Sequence, residues 1–245
     1  MQNQSLESFS DSQISALVRR MQLMPQLVKR QQEEEIAACV PLPQEWLEQQ
    51  RSAFIADQSL EEALDKRGWS AADLDLHLRI PEALKRFARQ RFGPGLEETF
   101  LESRGSRDEV IYSLLRVRDG GLARELWIRL EEAETTFAEA AHQYSEGEEA
   151  QRKGVIGPMP IGLLQPPVLQ EILRSLRPGE ISTPRQLGEW HVLMRLEQLK
   201  SARFDEPTRE RMLNEALDLF LSKRVELVIA GEENSLEPIH YDPEL

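Results

Sequence analysis

Residues 137–197 constrain this chain more than any other stretch: FAEAAHQYSEGEEAQRKGVIGPMPIGLLQPPVLQEILRSLRPGEISTPRQLGEWHVLMRLE. An amphipathic helix ends at Tyr144-Ser145 and gives way to a glycine-bearing loop. Gly157-Pro158 and a short apolar turn follow, then a helix stopped by Arg177-Pro178-Gly179. Last comes an alternating strand from Trp190 to Leu196, with His191 near its start. Upstream, residues 110–117 (VIYSLLRV) are β-branched, aromatic and partly alternating, which suits a first strand. Gly120-Gly121 then opens a helix over 122–132, with Leu122, Leu126, Ile128 and Leu130 apolar. Thr135 or Thr136 can cap the helix that begins at Phe137. The order is strand, helix, helix, loop, helix, strand, strand, an α+β unit over residues 108–200.

The flanks read differently. Residues 1–105 show almost no strand signal and predict an irregular all-α domain, with 103–107 as its polar boundary. Asp11-Ser12 can cap a helix carrying Ile14, Leu17, Val18 and Met21, interrupted at Met24-Pro25. Ser59 and Ser70 are N-cap candidates, the second with Asp73 in capping-box position. Pro81 is expected to kink or restart the helix it falls in, and Gly93-Pro94-Gly95 to break it. Beyond residue 205, Met212, Leu213, Ala216, Leu217, Phe220, Leu221 and Val225 form a continuous apolar stripe over 206–231. A helix so one-sided needs a partner. The helical N-terminal region is the expected one, which makes the α+β unit an insertion into one helical domain. The tail, 232–245, is acidic and carries two prolines, and is expected to be disordered.

The net charge of −13 argues against non-specific nucleic-acid binding, which needs a basic face to displace counterions, and against docking on an anionic membrane. No window reaches the roughly 18 apolar residues of a membrane span, and residues 1–10 lack the basic and apolar runs of a secretory signal. A cytoplasmic location is the expectation. Cys39 is the lone cysteine; it suits a reducing compartment and reads as a small buried thiol. His77, His142 and His240 are isolated, and no pair has metal-ligand spacing. No cofactor or metal is expected. The acidic runs Glu33-Glu34-Glu35 and Glu146-Gly147-Glu148-Glu149 read as solvated faces. The second has an alternative role, flanking a groove and attracting basic segments.

The elements F-A-E-A-A-H-Q-Y-S, G-V-I-G-P, L-R-P-G-E-I-S and E-W-H-V-L-M-R-L-E resemble the corresponding pieces of parvulin-type peptidyl-prolyl cis-trans isomerases. The helical region, with G-W-S-A-A-D-L, is similar to that of SurA- and PrsA-type foldases, whose familiar members are exported. The resemblance implies prolyl isomerisation, with two facing histidines, a cysteine or aspartate near the substrate carbonyl, and an apolar proline pocket. The second histidine matches His191. Leu114 stands where the first would be, and Gly147 where the cysteine or aspartate would be. The pocket positions fall on Leu164 and Val168, with Trp190 beside His191. As a remnant of the catalytic site, His191 would face the Leu164/Val168 pocket; as a structural residue it would hydrogen-bond within the sheet. The resemblance therefore implies an isomerase or chaperone for unfolded or proline-containing polypeptides, with an incomplete catalytic set. The alternative is a dedicated non-catalytic partner or escort of one specific peptide or secreted client.

Overall fold

The structure is a computed structural model, and it describes residues 9–55 and 59–232. The disordered tail expected over 232–245 lies, apart from its first residue, outside the described residues, as do His240 and the first eight positions. The chain forms two compact units. One comprises the residues up to Leu96 together with those from Glu206 onward; the other is Glu97–Asp205.

The first unit is helical: α1 (Asp11–Arg20), α2 (Met24–Cys39), α3 (Gln44–Ile55), α4 (Leu60–Asp65), α5 (Ala71–Phe92) and α10 (Glu206–Ala230). Its caps follow the local sequence. Ser59 and Ser70 each accept from the backbone N–H three residues on, and Glu62 and Asp73 reciprocate, satisfying donors a helix leaves open at its start. The first helix is capped by Ser10 with Gln13, one residue before the expected Asp11. α5 runs unbroken through Pro81, because Ile80, Ala83 and Phe87 on either side are buried and packing outweighs one lost backbone bond.

α10 packs against α2 and α5. Met212, Leu213, Leu217, Leu221 and Val225 are buried along its length, facing a core that includes Ile36, Ala37 and Val40 of α2 and Leu74, Ala83, Phe87 and Ala88 of α5. Each large apolar side chain so buried contributes roughly 1.5–3 kcal/mol. The rings of Phe87 and Phe220 stand 5.6 Å apart. Arg224 on α10 donates to Gln32 at 2.7 Å within this interface, and burial lowers its pKa, opposed by the charge of Glu35. Cys39 is exposed, not buried: Ile36, Ala37 and Val40 define the inward arc, and Cys39 falls outside it at 100° per residue. His77, read as isolated, packs its ring 4.9 Å from Trp69. Trp46, Trp69 and Trp127 are half-buried.

α6 (Leu96–Ser103) belongs, from Glu97 on, to the second unit, where its Phe100 packs on Phe204 at 5.3 Å between ring centroids. The division into units therefore falls after Leu96, at the first residue of α6 and ahead of the polar stretch at 103–107. A four-stranded antiparallel sheet follows, in the order β2-β1-β4-β3. It is built from β1 (Glu109–Val117), β2 (Val155–Pro160), β3 (Arg185–Leu187) and β4 (Trp190–Lys200), interleaved with α7 (Gly120–Glu131), α8 (Phe137–Tyr144) and α9 (Val168–Ser175). β2 was read from sequence as loop. Its Gly157, Pro158 and Pro160 suppress the strand signal, and prolines are tolerated because β2 lies at the sheet edge. The central pair, β1 and β4, sets Leu114 opposite Met194 and Val117 opposite His191.

Alternation sorts the two sheet faces. Val110, Tyr112, Val192, Met194 and Leu196 pack on one side with Ile161, Leu164, Leu169, Ile172 and Leu173 of α9 and the turn before it. Leu115, Val117 and Leu193 pack on the other with Ala123, Leu126 and Leu130 of α7 and Phe137, Ala140 and Ala141 of α8.

Candidate functional site

The α9 face carries most of the expected site. Leu164 is buried in its core, and Leu114, Val168 and Trp190 pack against the same cluster half-exposed. The peptide before α9 is held by Gln170, whose side-chain amide donates to the Leu164 carbonyl at 3.0 Å. Leu163, next to Leu164, stays 66% exposed. The arrangement is an apolar surface of β1, β4 and the start of α9 that the unit's own side chains only partly cover.

His191 is placed differently from its catalytic reading. Trp190 and Val192 belong to the α9 face, so His191 between them points to the α7 face. Its ring lies directly under Gly120, where an added Cβ would come within 2.8 Å of Nε2. Nδ1–H donates to the Arg118 carbonyl at 3.1 Å. A carbonyl can only accept, so this bond fixes the proton on Nδ1. The contact ties the turn between β1 and α7 to β4. Gly120 is required for the close approach, while Asp119 caps the helix by accepting from the Gly121 N–H at 2.7 Å.

Gly147 does not line the apolar surface either. It lies beside a charged pair on the same sheet face, in which Arg116 binds Glu149 at 3.0 Å. The Glu149 side chain is only 4% exposed and that of Arg116 35%. A Cβ at position 147 would land on the Arg116 guanidinium and the Glu149 carboxylate. Ser145 organises this corner: the Arg116 backbone N–H donates to its Oγ at 3.0 Å, and Oγ–H donates to Glu149 at 2.6 Å. Within the acidic run Glu146 and Glu148 are exposed, as a solvated face would be, and Glu146 binds Arg118 at 2.7 Å. Glu149 departs from that reading: it is buried and paired with Arg116.

Sequence reasoning passed over Arg116, Arg118 and Tyr112, and named Glu149 only as part of an acidic run. Alternation was the available signal, since 112, 114 and 116 share one side of β1. The Arg116 guanidinium rides 5.5 Å from the Trp190 ring and that of Arg118 4.4 Å from it, distances at which cations are attracted to the ring face. Burial pushes the Tyr112 hydroxyl above its ordinary pKa, and the charge of Glu149 adds to this. The Arg116 Nε–H is buried and has no hydrogen-bond partner. Among the described residues, no group of three or more His, Cys, Asp or Glu side chains could hold a metal ion, and no helix is long and apolar enough to cross a membrane.

Over residues 121–198 the sequence matches the family model Rotamase, the PPIC-type PPIase domain. This part of the chain belongs to the parvulin-type isomerase family. The match begins after β1, so Leu114, Tyr112 and Arg116 lie outside the stretch that carries it. Leu164, Val168 and Trp190 lie within the matched region. Among solved structures, the chain is similar to peptidylprolyl isomerase PrsA from Bacillus anthracis, at 16% identity and a TM-score of 0.49 over 86% of this chain and 100% of that one. It is similar to foldase protein PrsA from Streptococcus pneumoniae, at 12% identity and a TM-score of 0.45 over 94% and 93%. A SurA-like chaperone structure from Campylobacter jejuni covers 96% and 90% at 16% identity and a TM-score of 0.37. Comparison with curated protein sequences finds no match.

Proposed function

We propose that this protein binds proline-containing segments of unfolded or extended polypeptide on the α9 face of the sheet and speeds rotation about their prolyl bonds. The family match over residues 121–198 carries this reading. Rotation is opposed by amide resonance, a barrier of about 18–20 kcal/mol, and requires no covalent step. Seating the proline ring against Leu114, Leu164, Val168 and Trp190 removes water from the amide and favours a twisted geometry that exposes less charge. His191 has a positioning role in this reading, holding the β1–α7 turn, with no contact to substrate. A cytoplasmic setting belongs to the proposal and is supported by the lone Cys39, which suits a reducing compartment; fractionation of cells expressing the tagged chain tests it.

The deciding experiment follows proline-limited refolding of an unfolded protein in the presence of the purified chain, with aggregation recorded in parallel. Acceleration of the slow phase that falls in Leu164→Ala supports the isomerase reading. Suppressed aggregation without acceleration would replace it with peptide capture on an isomerase fold. Neither effect would leave the escort of one specific peptide as the reading to pursue.

A further inference from the structure

On the α9 face the family's polar groups are replaced by Leu114 and Gly147, yet the face is not without a donor. Arg116 follows Leu114 by two residues on the same side of β1 and stacks over Trp190, which packs on the cluster of Leu164 and Val168. Glu149 fixes it in place, itself anchored by Ser145. The space a side chain at 147 would fill is taken by this pair. The Arg116 Nε–H is buried beside Gly147 without a partner, while about a third of the side chain, 35%, stays open to solvent, and it is this open part that a ligand can reach.

We propose that Arg116 is the hydrogen-bond donor of the prolyl site, directing its guanidinium to the imide nitrogen of a proline seated against Leu114, Leu164, Val168 and Trp190. Glu149 is a positioning residue for it. In a planar amide the nitrogen lone pair is delocalised into the carbonyl and accepts no hydrogen bond. As the bond twists, the lone pair returns to nitrogen and can accept one. The interaction therefore exists in the transition state and not in the ground state, which is the condition for raising kcat without changing KM. No bond is made or broken and no proton is transferred. Arginine suits the task because it stays protonated and presents several donors in a fixed plane.

This inference rests on the isomerase reading above, and the experiment separates the two. Initial rates of cis-to-trans conversion of Xaa-Pro tetrapeptides would be measured for the wild-type chain, Arg116→Lys, Gly147→Ala and the double variant Arg116→Met/Glu149→Gln. The double variant avoids leaving Glu149 buried without its counter-charge, and Gly147→Ala displaces the guanidinium without altering Arg116 itself. The expected result is a fall in kcat of tenfold or more in the double variant and a smaller fall in the other two. KM should stay within twofold and the circular dichroism spectrum should be unchanged. Wild-type kcat in the folded double variant, or a raised KM at constant kcat, overturns the role of Arg116 while leaving the isomerase reading intact. A wild-type chain that accelerates no Xaa-Pro peptide overturns both.

Discussion

The two faces of the four-stranded sheet use the same strands for opposite purposes. The α7/α8 face is closed: Leu115, Leu126, Phe137 and Leu193 are almost fully buried, and His191 is pinned between a carbonyl and a glycine. The α9 face shares a buried layer of comparable quality, but toward its edge Leu114, Val168 and Trp190 are left half-covered beside two arginines. Apolar side chains left short of full burial, with a fixed charge at their margin, are what a peptide site needs and what a structural core avoids. Because successive residues of a strand face opposite ways, Trp190 and His191 are adjacent in sequence and belong to different faces.

Substitutions on the two faces should separate stability from binding. The largest effect is expected for Leu193→Ala on the closed face, about 2–5 kcal/mol of lost stability from the cavity it leaves. It should be seen as a lower melting temperature, while folded molecules keep their peptide affinity. Trp190→Ala should do the reverse, weakening binding of a proline peptide about tenfold, on the order of 1.4 kcal/mol, with a smaller loss of melting temperature than Leu193→Ala. Unchanged affinity in a titration of Trp190→Ala would break the comparison. His191→Ala should remove one hydrogen bond, about 1 kcal/mol of stability, and leave turnover per folded molecule as in the wild type. A loss of turnover without a loss of stability would return His191 to the catalytic set.

The smallest effect concerns alkaline pH. Burial and Glu149 raise the pKa of Tyr112 in the folded state. The folded chain then holds this proton more tightly than the unfolded chain does. The stability this contributes is fully present below the ordinary tyrosine value, about 10, and is lost as pH rises through the higher folded value. Tyr112→Phe should flatten the alkaline decline in melting temperature relative to wild type. The same decline in both would show that Tyr112 does not sense its burial.

The elements that position the site were largely legible. Helix and strand periods located β1, α7, α8, α9 and β4, and Ser59, Ser70 and Thr136 act as the caps their sequences suggested. β2 was hidden because its prolines and glycine carry no strand propensity, and its strand character comes from pairing with β1. That Leu114, Leu164, Val168 and Trp190 share one cluster was legible in part, because Leu164 keeps an apolar type of a recognisable pattern, while Val168 stands where that pattern has a phenylalanine. The polar half was not legible. Arg116 and Glu149 are each ordinary in their own surroundings and acquire meaning only when the loop after α8 folds back along β1, where Glu146 N–H donates to the Arg116 carbonyl. His191 shows the complementary failure: it was read from its neighbours in the string W-H-V-L, and only the alternation on β4 and the backbone at Gly120 reveal where it points.

The most direct test of the claim that the α9 face receives the peptide is a titration of the isotopically labelled chain with an Xaa-Pro tetrapeptide, followed by amide and indole nuclear magnetic resonance shifts. The account predicts saturating shifts for the Trp190 indole, Leu114, Leu164 and Val168, with Gly120, Leu126 and the ring of His191 unmoved. Shifts centred on His191 and Gly120, with the Trp190 indole unchanged, would contradict it.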